Sequence, residues 1–190
     1  MDDRLLDRHD EALGLFTDRV HAVRADQWGA PTPCSAWSVR DLVNHLTSEQ
    51  LWVPPLVSEG RSMAEVGDAF DGDVLGDDPV AAWDRAASGA RAAFAERGAA
   101  ERMVELSYGS TRAGAYCSQM VLDAVVHTWD LSRGIGVDER LPRPLVDFAL
   151  EEVEPYADSL SASGMFDPPL APPPGAGAQT RLLAMLGRGG

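Results

Sequence analysis

The chain has 190 residues, 45% of them hydrophobic, and carries 16 Lys and Arg against 30 Asp and Glu for a formal net charge of -14. That balance, with a pI near 4.5, excludes a surface built to track nucleic-acid phosphates or to dock on an anionic membrane. No apolar run of about 18 residues is present to span a bilayer, and the acidic start MDDRLLDRHDEALGLF lacks a signal peptide's basic and apolar regions, so a cytoplasmic location is expected.

Leu5, Leu6, His9, Leu13, Phe16, Val20 and Val23 recur at helical spacing and predict an amphipathic helix over 3–24. His9 falls on or beside the apolar stripe, where a histidine is more often packed or hydrogen-bonded than a ligand; His21 is peripheral. Residues 27–38, QWGAPTPCSAWS, read as a connector rich in turn formers. Ser38 is placed to cap the next helix, with Asp41 as its reciprocal partner and Trp37 positioned to staple onto Leu42. Val39, Leu42, Val43 and Leu46 mark the buried face of that helix. His45 lies beside this face, and Glu49, one turn on, reaches the same mouth. Pro54 and Pro55 end the helix.

Residues 58–78 are acidic and glycine-containing and read as a long connection with a short helix at MAEVGDAF. Such excursions often form a lid or a pocket wall. In DDPVAAWDRAASGARAAFAERG, Val80, Trp83, Ala87, Ala90 and Phe94 predict a third core helix, with Gly98 as its stop. MVELSY alternates and predicts a short extended segment ending at Gly109. A fourth core helix is expected from about Thr111 to Arg133, closed by GIG, and another from Arg143 to Tyr156 with Pro144 in its first turn. From Ser161 the chain is rich in proline and glycine until Leu182, Leu183, Met185 and Leu186, which predict a short helix docking this segment on the body.

Asp123 and His127 stand four residues apart, one turn apart on one face of the fourth core helix. With His45 they offer two imidazoles and a carboxylate. That set suffices for a divalent ion with open positions, zinc first, with nickel or iron accepting the same donors. The same spacing also serves an ordinary hydrogen bond or ion pair, so a non-catalytic helical structural or interaction protein with a polar His–Asp core pair remains the alternative. Asp130 is a rival carboxylate: a ligand, an orienter of an imidazole, or a buried hydrogen-bond partner. Cys34 and Cys117 do not make a disulfide framework and are read as buried thiols. There is no G-x-S-x-G elbow, H-E-x-x-H, phosphate loop or C-x-x-C.

TPCSAWSVRDLVNHLTSE, LDAVVHTWDLSRGIG and RLLAMLGR together resemble the mycothiol-dependent maleylpyruvate isomerase N-terminal, DinB-like superfamily of actinobacterial proteins. The resemblance implies an all-α fold: an up-down-down-up four-helix bundle with additional short helices and a proline-rich C-terminal segment. The bundle domain would cover 1–160, with 161–190 as an extension packing on it. The family's first ligand histidine falls on His45, its carboxylate ligand on Asp123 and its last histidine on His127. Asp123 departs from the usual glutamate by one methylene, so it must approach more closely or bind through water. Thr32 to Cys34 and Trp37 to Val39 look like family features that set the approach to the ligand helix. The implied chemistry is a divalent metal, usually zinc, favouring the thiolate of mycothiol as cosubstrate for attack on an electrophilic small molecule. That is a mycothiol-dependent transferase or isomerase-like enzyme, a monomer or homodimer with no nucleic-acid or membrane partner. The characterised maleylpyruvate isomerases have a further C-terminal domain contributing to the active site, which this chain is too short to contain. Maleylpyruvate isomerisation is therefore not assigned.

Overall fold

The computed structural model of the chain describes residues 3–34, 36–156 and 167–189. Helix α1 (Asp3–His21) buries His9, Leu13, Phe16 and Val20 along one stripe. It stops short of residue 24 because the chain turns there. Gln27 accepts from the Arg24 N–H at 3.0 Å and donates to the Ile135 carbonyl at 2.8 Å, tying the turn to the end of a later helix.

Helix α2 (Val39–Val53) begins with the reciprocal cap expected from its sequence. The Asp41 N–H donates to Ser38 Oγ at 3.2 Å, and Asp41 Oδ2 accepts from the Ser38 N–H at 2.9 Å. Aspartate is long enough. Pro54 and Pro55 end α2 as expected, although the chain does not straighten there. They delete two donors from the ladder, and the backbone widens into one π-helical turn over Pro54–Ser58, where the Glu59 N–H reaches the Pro54 carbonyl at 3.2 Å. Helix α3 (Met63–Val66) is a single turn, stopped by Gly67 at φ +67°.

Helix α4 (Pro79–Ala95) is capped by Asp78 and buries Ala82, Trp83, Ala86, Ala87, Ala90 and Phe94. It ends three residues before Gly98, whose φ of +77° instead starts a 3-10 turn. The extended segment expected after it is half of a hairpin. Strand β1 (Met103–Leu106) pairs antiparallel with β2 (Gly109–Arg112), Met103 opposite Arg112 and Leu106 opposite Gly109. Thr111, placed in a helix by the sequence reading, therefore sits in a strand. Ser107 and Tyr108 make the turn without positive φ, which falls on Gly109 instead. Helix α5 (Ala113–Ile135) follows, closed by Gly136 at φ +73°. Helix α6 (Arg143–Val153) gives way to a 3-10 turn at Glu154–Tyr156, and α7 (Ala178–Met185) is the last element.

Helix α1 packs against α5 and α4, and α2 against the same two, so these four helices form a bundle. One apolar cluster runs through all four and takes in Leu145, Val146 and Ala149 of α6 with Leu182, Leu183 and Leu186 at α7. A second, under the π-helical turn and the hairpin, holds Val53, Val57, Phe94, Val104, Tyr116 and Met120. The bundle level between them carries the polar side chains of interest. The all-α reading holds, the two-stranded hairpin being a minor addition. The boundary at 160/161 falls outside the described residues.

Residues 70–76 are fastened across α2. Arg40 Nη2 donates to Asp73 and to the Gly76 carbonyl, both at 2.8 Å. Asn44 donates to the Gly72 carbonyl at 2.8 Å and accepts from the Val74 N–H at 2.9 Å. Ser48 donates to the Phe70 carbonyl at 3.0 Å. Residues 40, 44 and 48 are spaced by four, so one stripe of α2 holds the whole connection.

Candidate metal centre

Asp123 leaves the second apolar cluster just after Met120, and His127 sits one turn on, among Val125, Val126 and Trp129 of the first. Across from them His45 projects from α2. His127 Nε2 lies 3.3 Å from Asp123 Oδ1, and His45 Nε2 lies 3.5 Å from Asp123 Oδ2. The two imidazoles meet edge to face, centroids 5.3 Å apart at 78°. One ligand atom from each of the three residues falls within 4.8 Å of the others. Asp123 Oδ2 is buried and makes no hydrogen bond among the described residues. Two donors on a tetrahedral ion with bonds of about 2.0–2.1 Å lie about 3.3–3.4 Å apart. The two separations measured from Asp123 thus lie close to those a zinc-sized ion would require. At the expected residues, aspartate spans the gap without the extra methylene.

Trp37 covers this group. Its ring lies 4.7 Å from that of His45 and 5.7 Å from that of His127, centroid to centroid. Trp37, expected to staple onto Leu42, packs against the apolar cluster that contains Leu42 and also lays its ring on both imidazoles. Glu49 stands one turn beyond His45. Burial and then the Asp123 charge push its carboxyl above the ordinary value, against a smaller opposing effect of the two histidines. Burial would also raise Asp123, but the His127 and His45 rings beside it hold it far below the usual carboxylate range. For His127 burial works downward, and the Asp123 and Asp130 carboxylates on its two nitrogens overturn it, holding the ring well above its usual value.

The far side of His127 is a second polar group. His127 Nδ1 lies 2.9 Å from Asp130 Oδ2, on a carboxylate with 0% exposure. Arg188, beyond the end of α7, donates from Nη2 to Asp130 Oδ2 at 2.9 Å and from Nε to Oδ1 at 3.3 Å. Cys34 Sγ is 3.2 Å from Asp130 Oδ2, 3.2 Å from Arg188 Nη2 and 3.9 Å from His127 Nδ1. Cys34, His127 and Asp130 thus form a second candidate metal-binding triad sharing His127 with the first. Of the roles open to Asp130, the geometry gives it the hydrogen bond to an imidazole.

Cys34, expected as a buried thiol and as part of the family-like Thr32–Cys34 element, is only half-buried and is an integral neighbour here. Arg188 went unnoticed, its only trace being its place in RLLAMLGR. Cys117 is buried with its thiol pushed up to about 12 by burial, and it lies in the apolar cluster away from both groups. His9 packs edge to face on Phe94, 5.0 Å between centroids, and takes no part in either group. A pocket of about 480 Å³ opens beside His45, walled by Trp37, Asp41, Asn44, Ser48 and Phe70.

Fold and site together define a helical bundle of the DinB-like kind with a plausible divalent-metal-binding centre at one level. The chain belongs to the mycothiol maleylpyruvate isomerase N-terminal domain family, whose model matches residues 9–132. Two uncharacterised proteins of Mycobacterium tuberculosis, one from each of two strains, are 31% identical over 128 residues. The match takes in 67% of this chain and 65% of each relative's length. No solved structure matches. Among the described residues, no helix is long and apolar enough to cross a membrane.

Proposed function

We propose that the protein holds a divalent ion, zinc before nickel or iron, on His45, Asp123 and His127, and with it activates a low-molecular-weight thiol, mycothiol, toward an electrophilic small molecule. The carrying observation is the convergence of three donors from two helices: His127 Nε2 and His45 Nε2 lie 3.3 and 3.5 Å from the two oxygens of Asp123, and one ligand atom from each residue falls within 4.8 Å of the others. The family match supports the same reading. A bound ion would lower the cost of forming a thiolate, the attacking species.

The side chains supply the rest. Asp123 and the imidazoles provide the seat, Trp37 excludes water from one flank, and the pocket beside His45 leaves room for the reactants. Glu49, one turn beyond His45 and with its carboxyl pushed above the ordinary value by burial, is the acid–base group we assign to proton exchange beside the site. Of the two triads, the one through Cys34 and Asp130 already contains the Arg188 guanidinium, whose charge opposes a second cation there. The same proposal keeps a bundle over 1–160, a packed extension over 161–190, a cytoplasmic setting and a transferase or isomerase-like reaction.

Elemental analysis of protein purified without added metal should find a stoichiometric divalent ion, lost in His127→Ala. Consumption of an electrophile should depend on mycothiol and fall in His45→Ala. Metal-free protein whose metal uptake is unchanged in His127→Ala would instead identify the His–Asp contacts as a core ion pair.

A further inference from the structure

The residues matched by the family end at 132, yet the side chain that closes the polar group behind His127 comes from position 188. From this we infer that Arg188 is a positioning residue for the metal centre: it fixes Asp130, Asp130 fixes the His127 ring, and the ring then presents Nε2 to the ion. The inference rests on the metal reading just proposed.

A fully buried carboxylate needs a cation or several donors to offset its lost hydration. Arg188 meets this need with two nitrogens on the two oxygens of Asp130, at 2.9 and 3.3 Å. The Cys34 thiol donates to the same carboxylate at 3.2 Å. Asp130 is therefore held as an acceptor in one orientation and does not depend on His127 for its counter-charge. With Asp130 as the acceptor for an Nδ1 proton at 2.9 Å, the His127 nitrogen that would give up its proton to an ion is Nε2, on the side of Asp123 and His45. A partner of this kind on the non-ligating nitrogen sets both the tautomer and the ring plane of a ligand histidine.

Arg188 is itself delivered by a built segment. Leu182, Leu183 and Leu186 are buried in the bundle core. The Leu170 N–H bonds to the Ala184 carbonyl at 2.8 Å, and Arg133 Nη1 donates to the Gly189 carbonyl at 2.8 Å. Gly187, at φ +78°, turns the chain so that Arg188 enters the interior; a Cβ there would come 2.7 Å from the Asp167 carbonyl oxygen. Arg188 Nη1 also caps the Leu186 carbonyl at 2.8 Å. The segment thus seats its one inward guanidinium on the carboxylate that carries the His127 bond.

The test uses the full chain and Co²⁺, whose visible absorption reports the geometry of its ligands. Wild type should bind Co²⁺ and His127→Ala should not. Arg188→Gln should keep wild-type helicity, bind Co²⁺ about 10- to 100-fold more weakly, as loss of an outer hydrogen-bond partner does, and shift the absorption. Arg188→Lys, which keeps the charge without the two-pronged geometry, should restore part of the affinity but not the spectrum. Folded Arg188→Gln with wild-type affinity and an unchanged spectrum would overturn the inference while leaving the metal reading in place. If Arg188→Gln does not fold, a wild-type spectrum in Arg188→Lys overturns it, and a displaced one supports it. No Co²⁺ binding by wild type would overturn both.

Discussion

His9 gives the sharpest thermodynamic test of the packing. It is 2% exposed on α1, its ring stands on Phe94, and Nε2 has no hydrogen-bond partner among the described residues. Burial, helped by the nearby Arg91 charge and opposed by Asp10, brings its pKa from 6.5 down to about 4. Between those values the unfolded chain binds the proton and the folded one refuses it, so the stabilising contribution is complete above 6.5 and is lost as pH falls. At 1.36 kcal/mol per unit, the loss is about 2 kcal/mol by pH 5 and about 3 kcal/mol below pH 4. Leucine at this position cannot take up the proton. Denaturant melts of wild type and His9→Leu from pH 8 to pH 4 should show the difference between the two stabilities shifting by that amount against wild type as pH falls. A constant gap across the range would refute the claim that the imidazole is buried neutral.

Two further outcomes follow from local chemistry. Ser38→Ala removes the cap that starts α2 and should cost about 1 kcal/mol in denaturant melts, with a smaller loss in Ser38→Gly. Cys117, buried with its thiol pushed up to about 12, should resist alkylation in the folded protein at pH 8 and react only on unfolding, as mass spectrometry of the labelled peptide would show.

Much of this architecture was legible because its causes are local. The stripe through Leu13, Phe16 and Val20, the Ser38–Asp41 cap and the alanine face of α4 each predict an element from neighbours a few residues away. The hairpin was half missed for the opposite reason. Gly109–Arg112 has no strand-like alternation, and Ser107–Tyr108 carries none of the usual glycine or asparagine turn signals. Pro54 and Pro55 signal a break, yet packing of Leu56 and Val57 into the second cluster keeps the chain turning through a wider ring. At the site, spacing pairs Asp123 with His127, the second helix offers His45 as a third donor, and the resemblance places the family's ligands on the same three residues. Spacing gave no hint of Arg188, which is separated from Asp130 by 58 residues. Nor does local spacing show that Trp37, beyond its staple position, packs on the imidazoles of two different helices.

The stripe Arg40–Asn44–Ser48 has a consequence for how this scaffold tolerates change. Apart from Asp73, the groups it grips are main-chain atoms: the carbonyls of Phe70, Gly72 and Gly76 and the N–H of Val74. Main-chain atoms persist through almost any substitution. The side chains at 70, 71 and 74 can therefore be exchanged while the strap keeps its course, and His45, on the adjoining face of the same helix, keeps its place. Of these, Phe70 and Asp71 line the pocket, so mutational libraries confined to those two should remodel its outer wall while leaving His45 in place, which makes the strap the natural site for altering selectivity.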